Sequence, residues 1–175
     1  MILEKNWYAL LTRSRFENVV TDIVEKKSIE IFLPKIKVKS KRRDRHKMIN
    51  VPLFPGYIFV KISLDPREQL QVLKTVGAVR LLGGPQGPVP VPETHIESLK
   101  IITGSGMDVF TGNTGPALKQ GEPVMVINGP MAGARGEFMK YKGTGRVIIR
   151  IEALGQYAAV EIDEDDLEKV PPILS

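Results

Sequence analysis

Residues 53–62 read Leu53-Phe54-Pro55-Gly56-Tyr57-Ile58-Phe59-Val60-Lys61-Ile62. The Pro55-Gly56 pair predicts an abrupt turn, and the apolar run that follows predicts a strand. Aromatic residues in strands are mostly core residues, so the first interpretation of Phe54 and Tyr57 is structural. If one ring is instead exposed beside the sheet, it is a candidate anchor for a protein partner, because aromatic anchors dominate interfaces.

The elements around this strand predict an α/β sandwich over residues 1–103. Strands are predicted at 7–12, 29–39, 52–62 and 79–82, and helices begin at Arg15, Asp65 and Pro92. The first helix is expected over residues 15–27, with Ser14 and Glu17 as a capping box. Connections between neighbouring strands are too short for a doubly wound parallel sheet, so an antiparallel-rich sheet with helices is expected.

The second half of the chain has a different pattern. Residues 104–117 are rich in glycine and polar residues and predict a flexible linker. Short apolar strands separated by glycine turns follow, at 123–128, 136–141, 146–153 and 156–162. With about five strands and no helix, residues 118–175 predict a small closed or nearly closed β-barrel, and the whole chain an α+β fold.

Composition argues against an enzyme. The chain has 175 residues, 42% of them hydrophobic, and no cysteine, which excludes disulfides, thiolate metal sites and a cysteine nucleophile. His46 and His95 have no nucleophile or metal partner in the sequence pattern, and no phosphate-binding loop is found. The acidic residues 163–166 fit a solvated turn better than a metal site. We therefore predict no cofactor, no metal and no membrane segment, and a cytoplasmic monomer.

Charge is distributed unevenly along the chain. Residues 1–103 carry 18 Lys/Arg and 10 Asp/Glu, whereas residues 116–175 carry 7 and 9. One segment concentrates the positive charge, with Lys41, Arg42, Arg43, Arg45 and Lys47 around the single acid Asp44. It is a candidate for binding a nucleic-acid phosphate backbone, and the alternative is a solvated surface loop.

A Gly-Pro turn marks the second half. Residues 129–136 read Gly129-Pro130-Met131-Ala132-Gly133-Ala134-Arg135-Gly136. The glycines are explained by tight packing between strands. Met131 at the turn tip is less necessary to a core, so we expect it to meet a partner.

Several motifs now occur in a familiar order. They are Trp7-Tyr8, Phe16-Glu17, Phe54-Pro55-Gly56-Tyr57, Val124-x-Val126, Gly129-Pro130 with Gly136, Ile149-Arg150-Ile151, Leu154-Gly155 and Val160-Glu161-Ile162. This set resembles the NusG family of transcription elongation factors, with a NusG-like N-terminal domain and a C-terminal KOW domain. The resemblance covers nearly the whole chain.

The resemblance implies a binding function without a catalytic site. The N-terminal domain of the family binds the coiled-coil clamp helices of the RNA polymerase β′ subunit and suppresses pausing, which assigns polymerase binding to Trp7, Tyr8, Phe54, Pro55 and Tyr57. The basic segment would lie near upstream or non-template DNA. The KOW domain would recruit Rho or a small-subunit ribosomal protein, through Pro130, Met131 and Arg135.

Two positions depart from the general factor. Arg15 stands where the housekeeping form usually has glycine, and Met131 replaces the usual phenylalanine. Residues 53–60 (LFPGYIFV) and 79–84 (VRLLGG) resemble specialised RfaH-, UpxY- and LoaP-like antiterminators more closely. We therefore predict such a paralog. The alternative function is a ribosome-associated RNA-binding protein, because KOW barrels also occur there.

Overall fold

The computed structural model describes residues 3–41 and 47–171. Two compact units divide the chain, Met1–Pro90 and Val91–Ser175. Elements of the first are β1 (Asn6–Thr12), α1 (Glu17–Lys26), β2 (Glu30–Phe32), β3 (Lys35–Lys39), β4 (Met48–Pro52), β5 (Tyr57–Ile62), α2 (Pro66–Leu73), β6 (Ala78–Leu81), β7 (Gly83–Gly84) and β8 (Gly87–Pro88). The second has α3 (Glu93–Gly104), β9 (Phe110–Asn113), β10 (Glu122–Val126), β11 (Arg135–Tyr141), β12 (Thr144–Ile151), β13 (Gln156–Glu161) and β14 (Leu167–Lys169).

The first unit is built on an antiparallel sheet of order β2-β5-β1-β6. Side chains of β1 and β5 alternate between its faces, and one face forms a core with α1 and α2. That core comprises Tyr8, Leu10, Val20, Val24, Ile29, Ile58, Val60, Ile62 and Val72. Trp7, Ala9 and Phe59 on the other face are also buried, so β1 is covered on both sides, as its apolar sequence predicted.

The two helices of this unit begin differently. At α2 the Asp65 side chain accepts a hydrogen bond from the Arg67 amide at 2.9 Å, and Pro66 occupies the first turn, as predicted. The predicted capping box at α1 is wrong. The helix begins at Glu17, Phe16 is its N-cap without a side-chain hydrogen bond, and the Glu17 side chain is buried. Arg15 lies outside the helix in a left-handed conformation with φ of 68°.

The second unit contains one antiparallel sheet of order β14-β10-β11-β12-β13-β9. The mixed α+β class, with an N-terminal sheet and helices and a C-terminal antiparallel sheet, is therefore confirmed. Closure of the second sheet into a barrel stays a prediction. Helix α3 packs on β11 and β12, and the Ser98 Oγ accepts a hydrogen bond from the Arg135 amide at 2.9 Å. Helix α3 belongs to the second unit in this structure. The sequence instead predicted it as the last helix of the first domain, before the linker.

Strand β9 lies inside the segment for which we expected a flexible linker, 104–117. Residues 110–113 pair with β13, from Ala159↔Phe110 to Gln156↔Asn113. A Cβ atom at Gly112 would stand 2.4 Å from the Tyr157 hydroxyl oxygen, so this glycine permits close packing. The structure thus places a paired strand within the segment that the sequence predicted as a linker.

Candidate functional site

The aromatic turn before β5 is held by backbone hydrogen bonds. The Tyr57 amide donates to the Phe54 carbonyl at 3.0 Å, and the Thr12 amide donates to the Gly56 carbonyl at 2.8 Å. Gly56 has a φ of 87°, a conformation that favours glycine. The turn therefore has a defined shape and is tied to the end of β1.

Only part of this turn is available to a partner in this structure. Phe54 is fully buried, Tyr57 is half-buried and Pro55 is exposed. Phe54 is therefore a core residue, as its position beside a strand first suggested, because the turn directs its ring inward. Pro55 and Tyr57 form the outer surface of the turn.

Trp7 and Tyr8 lie away from the turn. Both are 2% exposed, and their strand partners are Lys61 and Val60, whereas the partner of Tyr57 is Leu11. About three residues of strand, roughly 10 Å, separate Tyr8 from the level of Tyr57. Tyr57 and Trp7 share the sheet face opposite the α1–α2 core, and Tyr8 points into that core. The structure does not bring the five predicted polymerase-binding residues into one exposed cluster.

The basic segment is described only at its margins. Lys41 and Lys47 are exposed, and the Ser40 amide donates to the Lys47 carbonyl at 2.9 Å. Arg42, Arg43 and Arg45 lie outside the described residues. The segment is thus the connection at the end of the β3–β4 ribbon.

The Gly-Pro turn of the second unit differs from expectation at Met131. Its side chain is 3% exposed, whereas Pro130 is exposed and Arg135 is half-buried. Hydrogen bonds from the Gly133 amide to the Val126 carbonyl and from the Val126 amide to the Ala134 carbonyl, both 2.8 Å, fold the loop back on the sheet. This fold carries Met131 inward, so its expected exposure at the tip is wrong.

A polar cluster in the second unit was not predicted from sequence. Arg150 donates from Nε and Nη2 to the Glu137 carboxylate at 3.0 and 3.1 Å, and Glu137 Oε1 accepts from the Gly121 amide at 2.9 Å. The hydrogen bond from Glu137 raises the pKa of Arg150 above its usual value, against the desolvation that lowers it. Glu137 and Arg150 are 13 residues apart in sequence, so no local pattern indicates that they form a pair.

This cluster borders a cavity of about 350 Å³. Its polar lining includes Thr94, His95, Arg135, Glu137, Arg150 and Glu152. Burial lowers the pKa of His95, and the carboxylates of Glu137 and Glu152 partly oppose that effect. Arg150 and Glu137 in this lining already bind each other, so the polar cluster suits a structural role.

Two further observations concern the described residues. They contain no group of three or more acidic or histidine side chains that could hold a metal ion. Nor does the described part of the chain include a helix long and apolar enough to cross a membrane.

Comparison with known proteins identifies the architecture. The family model described as "Transcription termination factor nusG" matches residues 5–100, more than half of the chain. The transcription termination/antitermination protein NusG of Bacillus subtilis (strain 168) is 27% identical over 179 residues, covering 96% of this chain and 100% of that protein. Its counterpart from Streptococcus pyogenes serotype M1 is 24% identical, covering 91% and 93%.

A solved structure has the same fold. The chain described as "Domain interaction in Thermotoga maritima NusG" superimposes with a TM-score of 0.54 at 21% identity, over 96% of this chain and 98% of that one. Together with the family match, this likeness places both units in one known architecture. The chain belongs to the NusG family of transcription termination/antitermination proteins, which are non-enzymatic transcription factors.

Proposed function

We propose that this chain binds RNA polymerase at the clamp helices of the β′ subunit and suppresses pausing or termination. The family match over residues 5–100 carries this proposal, because it includes almost all of the first unit. Within that unit the exposed Pro55 and half-buried Tyr57 offer an apolar contact on a rigid turn. Buried Phe54, Trp7 and Tyr8 would act by holding the turn and strand in place.

A pause assay tests this activity. Purified chain is added to RNA polymerase transcribing a template with a strong pause, and the pause lifetime is measured. We expect the lifetime to fall with the unaltered chain and to be restored when Tyr57 is replaced by alanine. Tyr141→Ala is the matched control, because Tyr141 is an exposed tyrosine in the second unit. Equal effects of the two variants would contradict the docking site.

The basic segment supports contact with upstream or non-template DNA. Lys41 and Lys47 are exposed at the end of the β3–β4 ribbon, and Arg42, Arg43 and Arg45 stand between them in sequence. Phosphate contacts of this kind are largely independent of base sequence and depend strongly on salt. Crosslinking between the segment and DNA in a stalled elongation complex tests this placement.

The second unit is proposed to be a KOW barrel that recruits another factor, either Rho or a small-subunit ribosomal protein. Pro130 is exposed in its Gly-Pro turn, Arg135 is half-buried at the start of the next strand, and the buried Met131 would support the loop from the core side. Pull-downs with Rho and with the ribosomal protein distinguish the two partners. Co-sedimentation with ribosomes in the absence of polymerase would favour the ribosome-associated alternative.

We further propose a specialised antiterminator rather than the housekeeping factor. The support is Arg15, which takes a left-handed φ of 68° where the general form usually has glycine, and Met131 at the Gly-Pro turn. Mapping of chromosomal occupancy alongside polymerase tests this proposal. Restriction to one or a few long operons is expected, and presence on nearly all transcribed genes would contradict it.

A further inference from the structure

Strand β9 covers part of the outer edge of β13 in the second unit. Its four residues pair antiparallel with residues 156–159, and three of the four are exposed. On its other side β13 pairs with β12 along all six of its residues, and Ala158, Ala159 and Val160 are fully buried. β13 is therefore part of the core, whereas β9 is a short edge strand that buries little apolar surface and opens at low cost.

The pairing of β9 stops before β13 ends. Phe110 pairs with Ala159, so in the same register Asp108 would lie opposite Glu161. Like charges directly opposite each other destabilise a strand pair, which explains why β9 begins only at Phe110. No strand in the described part of the chain covers the edge of β13 at Glu161. An uncovered strand edge is a template for pairing with another chain.

Two side-chain positions define what fits on this edge. The Arg146 guanidinium lies 4.7 Å from the ring centroids of both Phe110 and Tyr141, so an aromatic ring of the edge strand stacks on a cation there. Opposite Tyr157 the edge strand has Gly112, where a Cβ would stand 2.4 Å from the tyrosine hydroxyl oxygen. The edge thus accepts a strand with an aromatic residue and, two positions later, a glycine.

We propose that the outer edge of β13 is a strand-addition site for a partner protein, and that β9 is a resident occupant which the partner strand displaces. Addition of a strand to a sheet edge is a common mode of peptide recognition, with affinity from backbone hydrogen bonds and specificity from alternate side chains. The partner strand runs antiparallel to β13. It carries a basic residue opposite Glu161, an aromatic residue opposite Ala159 and a glycine opposite Tyr157.

The basic residue gives the partner strand an advantage over β9. It replaces the repulsion between Asp108 and Glu161 with an attraction between opposite charges. The partner strand can also begin to pair at the uncovered Glu161 end before β9 separates. Addition to the outside of β9 is less favourable, because β9 offers four residues to an incoming strand and β13 offers six.

This inference rests on the proposed recruitment of a factor by the second unit, and a reversible lock on β9 tests it. The Thr114 amide donates to the Gly155 carbonyl at 2.8 Å, so the next pair, Asn113 with Gln156, is a non-hydrogen-bonded pair whose side chains are close. N113C/Q156C is therefore expected to form a disulfide that holds β9 on β13. The chain has no cysteine of its own, and the reduced form of the same variant is the control.

A second variant loosens β9. F110A removes the ring that stacks on Arg146. Its control is M107A, which removes an exposed apolar side chain just before β9 and outside the ladder. Binding of the full-length variants to Rho and to the small-subunit ribosomal protein is then measured by titration.

The lock and the loosened variant should change affinity in opposite directions. Whichever factor binds the unaltered chain should bind the oxidised N113C/Q156C variant about 10-fold or more weakly, because the competent state is no longer populated, and reduction should restore the affinity. F110A should bind about 3- to 5-fold more tightly, since the stack that holds β9 is lost, and M107A should bind like the unaltered chain. Unchanged binding by both the oxidised variant and F110A would overturn the inference, because the factor would then bind elsewhere, including on the outside of β9.

A labelled peptide separates this site from recruitment itself. The peptide has the sequence of residues 107–114 with lysine in place of Asp108, and its binding to the full chain is followed by fluorescence anisotropy. F110A should bind it more tightly than the unaltered chain, and the oxidised N113C/Q156C variant should not bind it. If the unaltered chain binds neither factor but the peptide follows this order, recruitment fails and the strand-addition site stands. Peptide binding that is equal in the three proteins, or absent from F110A, would contradict the site.

Discussion

Removal of the Glu137 carboxylate should destabilise the second unit strongly. Three hydrogen bonds end on this carboxylate, two from Arg150 and one from the Gly121 amide. Both side chains of the ion pair are about one-sixth exposed, at 15% for Arg150 and 16% for Glu137. Alanine at position 137 leaves the guanidinium and the amide without their acceptor in a poorly solvated place, so we expect a loss of about 3 kcal/mol.

A double-mutant cycle measures the interaction energy between Glu137 and Arg150 separately from the interactions that each makes with other groups. Glu137→Ala, Arg150→Ala and the double variant are compared by hydrogen exchange of peptides that span β11 and β12, which reports the free energy of local opening. The expected coupling energy is about 1.5–3 kcal/mol, which is the upper part of the range for two residues that share one ion pair or hydrogen-bond network. Single effects that add to within about 0.5 kcal/mol would refute the view that this pair stabilises the sheet.

Three other variants test separate features. Arg15→Gly should raise the free energy of unfolding by about 1 kcal/mol, because glycine adopts the left-handed φ without a Cβ penalty; denaturation followed by Trp7 fluorescence measures this, and a loss of stability would contradict it. Gly112→Ala should increase hydrogen exchange over residues 110–113, because its Cβ would collide with Tyr157, whereas Gly115→Ala, with nothing within 4 Å, should not; equal exchange in the two variants would disprove the packing role. Burial lowers the pKa of His95 in the folded state below its usual 6.5. The contribution of neutral His95 to the free energy of unfolding is therefore complete above pH 6.5, and it is lost as the pH falls through the folded-state pKa. His95→Gln should make local stability around α3 less dependent on pH below 6.5, and an unchanged pH profile would argue against it.

Local signals predicted the first unit well. The apolar run of β1 and the Asp65-Pro66 helix start depend on neighbouring residues, and both are found where the sequence predicted them. Strand β5 ends as predicted but begins at Tyr57, five residues after its predicted start at 52. Arg15 shows the limit of the same approach. Ser14 and Glu17 have capping-box spacing, but Arg15 between them takes a left-handed φ, so the helix begins only at Glu17 with Phe16 as its N-cap.

The missed features depend on residues that are distant in sequence. Strand β9 is recognisable only when β13 is present beside it, and the composition of residues 104–117 by itself indicates a loop. The guanidinium of Arg146 lies 4.7 Å from the ring centroids of both Phe110 and Tyr141, a contact that joins three separate strands or strand ends. The exposure of a single side chain is equally non-local, which is why the motifs around Phe54 and Met131 did not show that both side chains are buried.

The affinity of the full chain for the isolated β′ clamp helices tests the proposed docking most directly. Calorimetric titration is performed with the unaltered chain, Tyr57→Ala and the control Tyr141→Ala. If the Pro55–Tyr57 surface holds polymerase, Tyr57→Ala should weaken binding by about 30-fold, equivalent to roughly 2 kcal/mol for an aromatic anchor, and Tyr141→Ala should not. No binding by the unaltered chain, or undiminished binding by a folded Tyr57→Ala variant, would contradict the proposal.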